Sequence, residues 1–125
     1  MSYHPFMEEN AQRHIDEIRS VAGVAACALV SSEGTIMGKC FRDGSLLSSL
    51  FAAMCATVLA SAEAACGSAN IGRPSMVTIT APDATILIVG VGEAALITAV
   101  IDKSADLSTV QRQLSDIAVR IGEEA

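Results

Sequence analysis

Apolar positions recur at helical spacing in three stretches of this chain and mark five shorter runs between them. The longest helical stretch is Ser45 to Cys66, SLLSSLFAAMCATVLASAEAAC, in which Glu63 is the only charge. At 100° per residue, Leu47, Leu50, Phe51, Met54 and Val58 form a bulky stripe, expected to pack on a sheet. Ser49, Ala52, Ala53, Ala56 and Ala60 lie opposite and are small, with Cys55, Leu59 and Cys66 on one flank. Small side chains let a second protein backbone approach closely. A water-facing helix would carry Glu, Lys and Arg, so this face is expected to meet a protein partner. Asp43 or Ser45 is suited to cap the start, and Gly67 to end the helix in a left-handed turn. A rod of this length spans about 33 Å.

The other elements read in order. Ala11, Ile15, Ile18 and Ala22 give a first helix one apolar stripe. It is expected to begin near Pro5, with Glu8 and Glu9 at its positive end, and to stop at Gly23. Val24 to Ser31 is an unbroken small-apolar run, as in a strand covered on both faces. Ser32-Glu33-Gly34 turns it into a hairpin partner, Thr35 to Phe41. After the long helix a polar connection leads through Pro74 to three strands, Met76 to Thr80, Thr85 to Val89 and Ala95 to Ile101. Ala81-Pro82-Asp83-Ala84 and Gly90 to Glu93 are the turns between them. A loop, Asp102 to Asp106, precedes the clearest amphipathic pattern, Leu107, Val110, Leu114, Ile117 and Ile121, with Ser108 and Gln111 placed for a capping box. Helix, hairpin, helix, meander, helix predicts an α/β three-layer sandwich. Its five-stranded, mostly antiparallel sheet carries the long helix on one face and the two single-striped helices on the other. Residues 1–125 read as one domain, without repeat or linker.

Composition narrows the function. Eighteen uncharged residues, Ser45 to Ala62, reach the length of a membrane span. Seven alanines and five Ser/Thr between Ser45 and Cys66 make the stretch only mildly apolar, and no cationic run or aromatic belt flanks it, which favours a buried helix of a water-soluble domain. A net charge of −6 and no Lys/Arg cluster argue against nucleic acid. The N-terminus has no apolar core or cleavage site of a signal peptide, and a cytoplasmic location is expected. Cys27, Cys40, Cys55 and Cys66 lack zinc-site spacing and are expected to be reduced thiols in strands or a helix. A two-residue turn at Glu33-Gly34 would set Cys27 opposite Cys40, and a three-residue turn would not.

Candidate chemistry is sparse. Gly90-Val91-Gly92-Glu93-Ala94-Ala95 fits the dinucleotide pattern G-x-G-x-x-A, but a strand follows where a helix N-terminus is needed, so it reads as a hairpin turn. His4 and His14 pair with no recognisable nucleophile, and His14 is expected at the boundary or surface of the first helix. Arg73 has the chemistry of an arginine finger, but a solvated loop residue is the expected role. No catalytic residue, cofactor site or metal site is predicted, and the chain is expected not to be an enzyme.

Ile15-Asp16-Glu17-Ile18, Val21-Ala22-Gly23-Val24 and Ala28-Leu29-Val30-Ser31 running into Glu33-Gly34 are similar to the opening pattern of the roadblock domain family. This is the dynein light-chain and Ras-like GTPase-regulator group. Asp102-Lys103-Ser104-Ala105-Asp106-Leu107 resembles its entry into the last helix, so the likeness covers about residues 7 to 121. Ala22, Asp106 and Ser108 stand where proline, asparagine and glycine are common. The resemblance implies a profilin-like fold and a dimer, with itself or another roadblock-type subunit, built on the long helix and third strand. It also implies a scaffold or regulator that binds a small Ras-like GTPase or, alternatively, an adaptor without GTPase contact. The interface expected from both lines of reasoning comprises Ser49, Ala52, Ala53, Cys55, Ala56, Leu59 and Ala60, with Met76, Val77, Thr78, Ile79 and Thr80 as the sheet edge. Such an edge, unblocked by charge, otherwise invites aggregation. A small-molecule site beside the long helix rests on the cysteines alone.

Overall fold

A computed structural model describes residues 10–41 and 48–124. The expected helix start near Pro5, with Glu8 and Glu9, and the caps Asp43 and Ser45 lie outside the described residues, as does Leu47. The elements are α1 (Ala11–Arg19), β1 (Val24–Ser31), β2 (Ile36–Cys40), α2 (Ser48–Ser68), β3 (Met76–Thr80), β4 (Ala84–Val91), β5 (Ala95–Asp102) and α3 (Leu107–Glu124). The strands form one antiparallel sheet in the order β2-β1-β5-β4-β3.

The unbroken apolar runs of β1, β4 and β5 are explained by cover on both faces. Cys27, Leu29, Leu87, Val89, Ile97 and Ile101 point to a core shared with α1 and α3. Their neighbours Ala28, Val30, Ile88 and Leu96 point to a second core under α2. The two single-striped helices therefore share one face, and the long helix has the other.

Several local expectations are corrected. Gly67 lies inside α2, and Asn70 (φ 58°) is the left-handed residue that ends it. The Ile71 amide donates to the Cys66 carbonyl at 2.8 Å and the Asn70 amide to Gly67 at 3.1 Å, the paired bonds of a Schellman end. Ser108 lies within the first turn of α3 rather than capping it. The Asp106 carbonyl takes the first helical bond from the Val110 amide, and its carboxylate accepts from the Thr109 hydroxyl at 2.8 Å. In α1, Ala22 is exposed beyond the helix end, and Val21 takes its place in the core. Gly90 belongs to β4, so the second meander turn begins at Gly92 (φ 57°).

The β1–β2 hairpin combines both turn alternatives. The Ser31 amide donates to the Thr35 carbonyl, leaving a three-residue loop, which alone would set Cys27 opposite Lys39. The register then shifts between Leu29 and Val30, with Val30 opposite Ile36 and Leu29 opposite Gly38. Met37 is the extra residue of this bulge, and it restores Cys27 opposite Cys40. Gly38 is needed where α1 crosses β2. A Cβ there would sit 2.9 Å from Ile15 Cγ1 and 3.3 Å from the Ala11 carbonyl oxygen.

Candidate interaction surface

The sheet-facing line of α2 is Ala52, Cys55, Ala56 and Leu59. This reverses the expected orientation. The small residues face inward, so the helix backbone sits close over Val30, Ile88 and Leu96. Of the expected bulky stripe, Phe51 and Val58 are half-buried on one flank, while Leu50 and Met54 are each 56% exposed. The four inward residues were expected at a partner interface and are instead part of the chain's own core. Ser49, Ala53 and Ala60 are exposed.

Cys55 has a specific role in that core. Thr98, on β5, is fully buried, and its hydroxyl donates to Cys55 Sγ at 3.1 Å. Burial raises the Cys55 thiol above its ordinary pKa, with the threonine bond opposing. Cys27 is also buried, and burial, reinforced by the neighbouring Cys40, pushes it up to about 12. All four cysteines are free thiols, and none of these shifts produces a reactive thiolate.

The outer face of α2 contains Leu50, Ala53, Met54, Thr57, Ala60 and Ser61, continuing to Ala64 and Ala65. It carries no charge. Glu63 lies off it, drawn to Arg73, whose Nε donates to Glu63 Oε2 at 2.8 Å while Nη1 reaches Glu93 Oε1 at 3.2 Å. The Glu63 hydrogen bond, foremost among these contacts, raises the Arg73 pKa. Arg73, expected to be a solvated loop residue, is exposed, and it also ties the connection after α2 to the β4–β5 turn. Within the G-x-G-x-x-A segment, Gly92 to Ala94 form that turn between β4 and β5, so a strand and not a helix N-terminus comes next.

The two sheet edges differ. β2 is bulged at Met37 and carries an exposed Lys39, features that blunt an edge. β3 pairs with β4 in regular register from Met76–Val89 to Thr80–Thr85 and has no charged residue. The Gly90 amide donates to the Ser75 carbonyl at 3.0 Å, which sets the parity of the ladder. Val77 and Ile79 therefore bond inward to β4, and the backbone groups of Met76, Thr78 and Thr80 turn to the open edge. Val77 and Ile79 side chains pack toward α2, Met76 lies on the α3 side, and Gln111 Nε2 donates to Thr78 Oγ1 at 3.1 Å.

His14, expected at the boundary or surface, is 3% exposed. Its Nε2 has no hydrogen-bond partner and lies 4.0 Å from Glu124 Oε1, which Arg13 holds at 2.9 Å. Burial lowers its pKa, with Glu124 acting in the opposite direction. Sequence spacing carried the signal, since His14 falls between Ala11 and Ile15 on the inward side of α1. Among the described residues no group of three or more His, Cys, Asp or Glu is placed to hold a metal.

No curated protein sequence matches the chain. Among solved structures, one described as MglB with a tetrameric arrangement aligns with a TM-score of 0.84 at 17% identity, covering 98% of this chain and 93% of that one. The gliding protein MglB of Thermus thermophilus aligns at 0.81 and 20% identity, over 98% and 96%. Profilin II of Acanthamoeba castellanii aligns at 0.65 and 18% identity, over 92% and 99%. At these identities the likeness is one of fold, a profilin-like sandwich that includes α3. The sequence of residues 10–102, from the residue before α1 to the end of β5, matches the Roadblock/LC7 domain, and the chain belongs to that family.

Proposed function

We propose that this chain is a non-enzymatic, dimeric scaffold or regulator, located in the cytoplasm, that binds a small Ras-like GTPase. The observation that carries the reading is the uncharged outer face of α2, with Leu50 and Met54 exposed, beside an unblunted β3 edge. Roadblock/LC7 proteins are generally regulators or adaptors, in keeping with this arrangement.

The dimer has a definite geometry in this reading. Two β3 strands pair antiparallel about a two-fold axis at Thr78, which sets Met76 opposite the partner's Thr80. Outward-turned residues then meet outward-turned residues, forming about six backbone hydrogen bonds. Val77 and Ile79 pack toward α2 in both copies. The pairing therefore brings two α2 helices to the same face of a continuous sheet. Their outer residues, Ser49, Leu50, Ala53, Met54 and Ala60, meet across the axis or form the platform for the GTPase.

Immobilised protein should retain a small Ras-like GTPase in a nucleotide-dependent manner when a panel is presented in GDP-bound and GTP-analogue-bound forms. No retention in either state across the panel would remove the GTPase from the proposal. Preferential heterodimer formation with another roadblock-type subunit would then support the adaptor alternative.

A further inference from the structure

A groove of about 720 Å³ opens between the end of α1 and the side of α3, on the sheet face opposite α2. Its volume is within the range of ligand clefts. Val21, Val110 and Ile117 give it an apolar floor. Its rims are acidic, with Glu17 on α1 and Asp102, Asp106 and Asp116 on or before α3. Arg120 is the one cation among the described lining residues, and Glu17 already pairs with it. Asp106 is occupied by Thr109. Among the described residues the Asp102 and Asp116 carboxylates have no ion-pair partner.

The end of the groove is held closely. Gly23 (φ 98°) abuts Ala105 so tightly that a Cβ would come within 2.5 Å of the Ala105 methyl, and its carbonyl accepts the Asp102 amide at 2.9 Å. Asp102 is thus fixed at one mouth, and Asp116 stands along α3.

We propose that this groove docks a linear segment of another protein, one with an apolar side chain between lysine or arginine residues. The apolar residue meets the floor, and the cations meet Asp102 and Asp116. The complementarity excludes this chain's own N-terminal segment, because residues 1–9 contain Glu8 and Glu9 and no Lys or Arg. The groove is separate from the α2–β3 surface, so its failure would leave the dimer reading intact.

The test is an amide-resolved NMR titration of the isotope-labelled full chain with a short capped peptide carrying one leucine between lysines. Shifts are expected at Ser20 to Gly23, Ser104 to Asp106 and Thr109 to Gln113. Replacing the leucine by serine should weaken binding about fivefold or more. The D102N/D116N double variant should weaken it about tenfold with an unchanged thermal midpoint, because both carboxylates are exposed. An absence of shifts, or shifts centred on α2 and β3, would overturn the proposal. So would equal binding of the serine peptide or of spermine, because the groove would then be reading charge alone.

Discussion

Thr78→Pro separates the edge of β3 from its interior. The Thr78 amide points away from β4, so proline removes no hydrogen bond from the chain's own sheet. Val77 before it is already extended, as a residue preceding proline should be. In the proposed dimer the same change deletes both central donors, one from each protomer. At a net ~0.5–1.5 kcal/mol each, the loss is about 1–3 kcal/mol. This weakens dimerisation about 5- to 150-fold before any clash of the proline ring with the partner strand. Thr78→Ala is the control. It also loses the exposed bond from Gln111 but keeps the amide. Sedimentation equilibrium over a dilution series would read the dimer constants, and thermal unfolding would check that both variants fold. Equal dimer constants for the two variants would refute edge pairing through β3.

Three further outcomes follow from the packing. Cys55→Ala deprives the buried Thr98 hydroxyl of its acceptor and opens a small void, and urea unfolding should register a loss of about 1–3 kcal/mol. Gly38→Ala drives a methyl group against Ile15 and the Ala11 carbonyl, and should cost about 1–3 kcal/mol by the same measurement. His14, with Glu124, Arg13, Glu17 and Arg120 around it, is held below its ordinary value of 6.5 by burial, so the unfolded chain binds a proton more readily than the fold. Its contribution is therefore intact above pH 6.5, declines as pH falls toward the lowered folded value, and changes no further below it. Urea midpoints on either side of pH 6.5 should follow this course, and His14→Leu should flatten it.

The sequence made the element order and the sheet faces legible, because continuous apolar strands and singly striped helices allow few arrangements. The orientation of α2 was not legible. Bulk alone points to the opposite side of the helix, whereas a close helix–sheet approach selects Ala52, Cys55 and Ala56 beside Leu59. The bulky Leu50 and Met54 on the outside are a stronger sign of a partner than the small face that was expected to supply it. His14 is a related case: its polarity points to the surface, whereas its position between Ala11 and Ile15 on α1 buries it. The Met37 bulge has no sequence signature of its own, yet it alone reconciles a three-residue loop with Cys27 opposite Cys40. The groove beside α3 draws on residues distant in sequence, which no local pattern brings together.

The most direct measurement is the solution mass of the unaltered chain by light scattering after size exclusion, in reducing buffer without detergent. Reduction removes any disulfide-linked pair from the result. The account predicts twice the 12.9 kDa of one chain. A stable monomer at every concentration tested would contradict it, leaving the outer face of α2 and the β3 edge without the partner assigned to them.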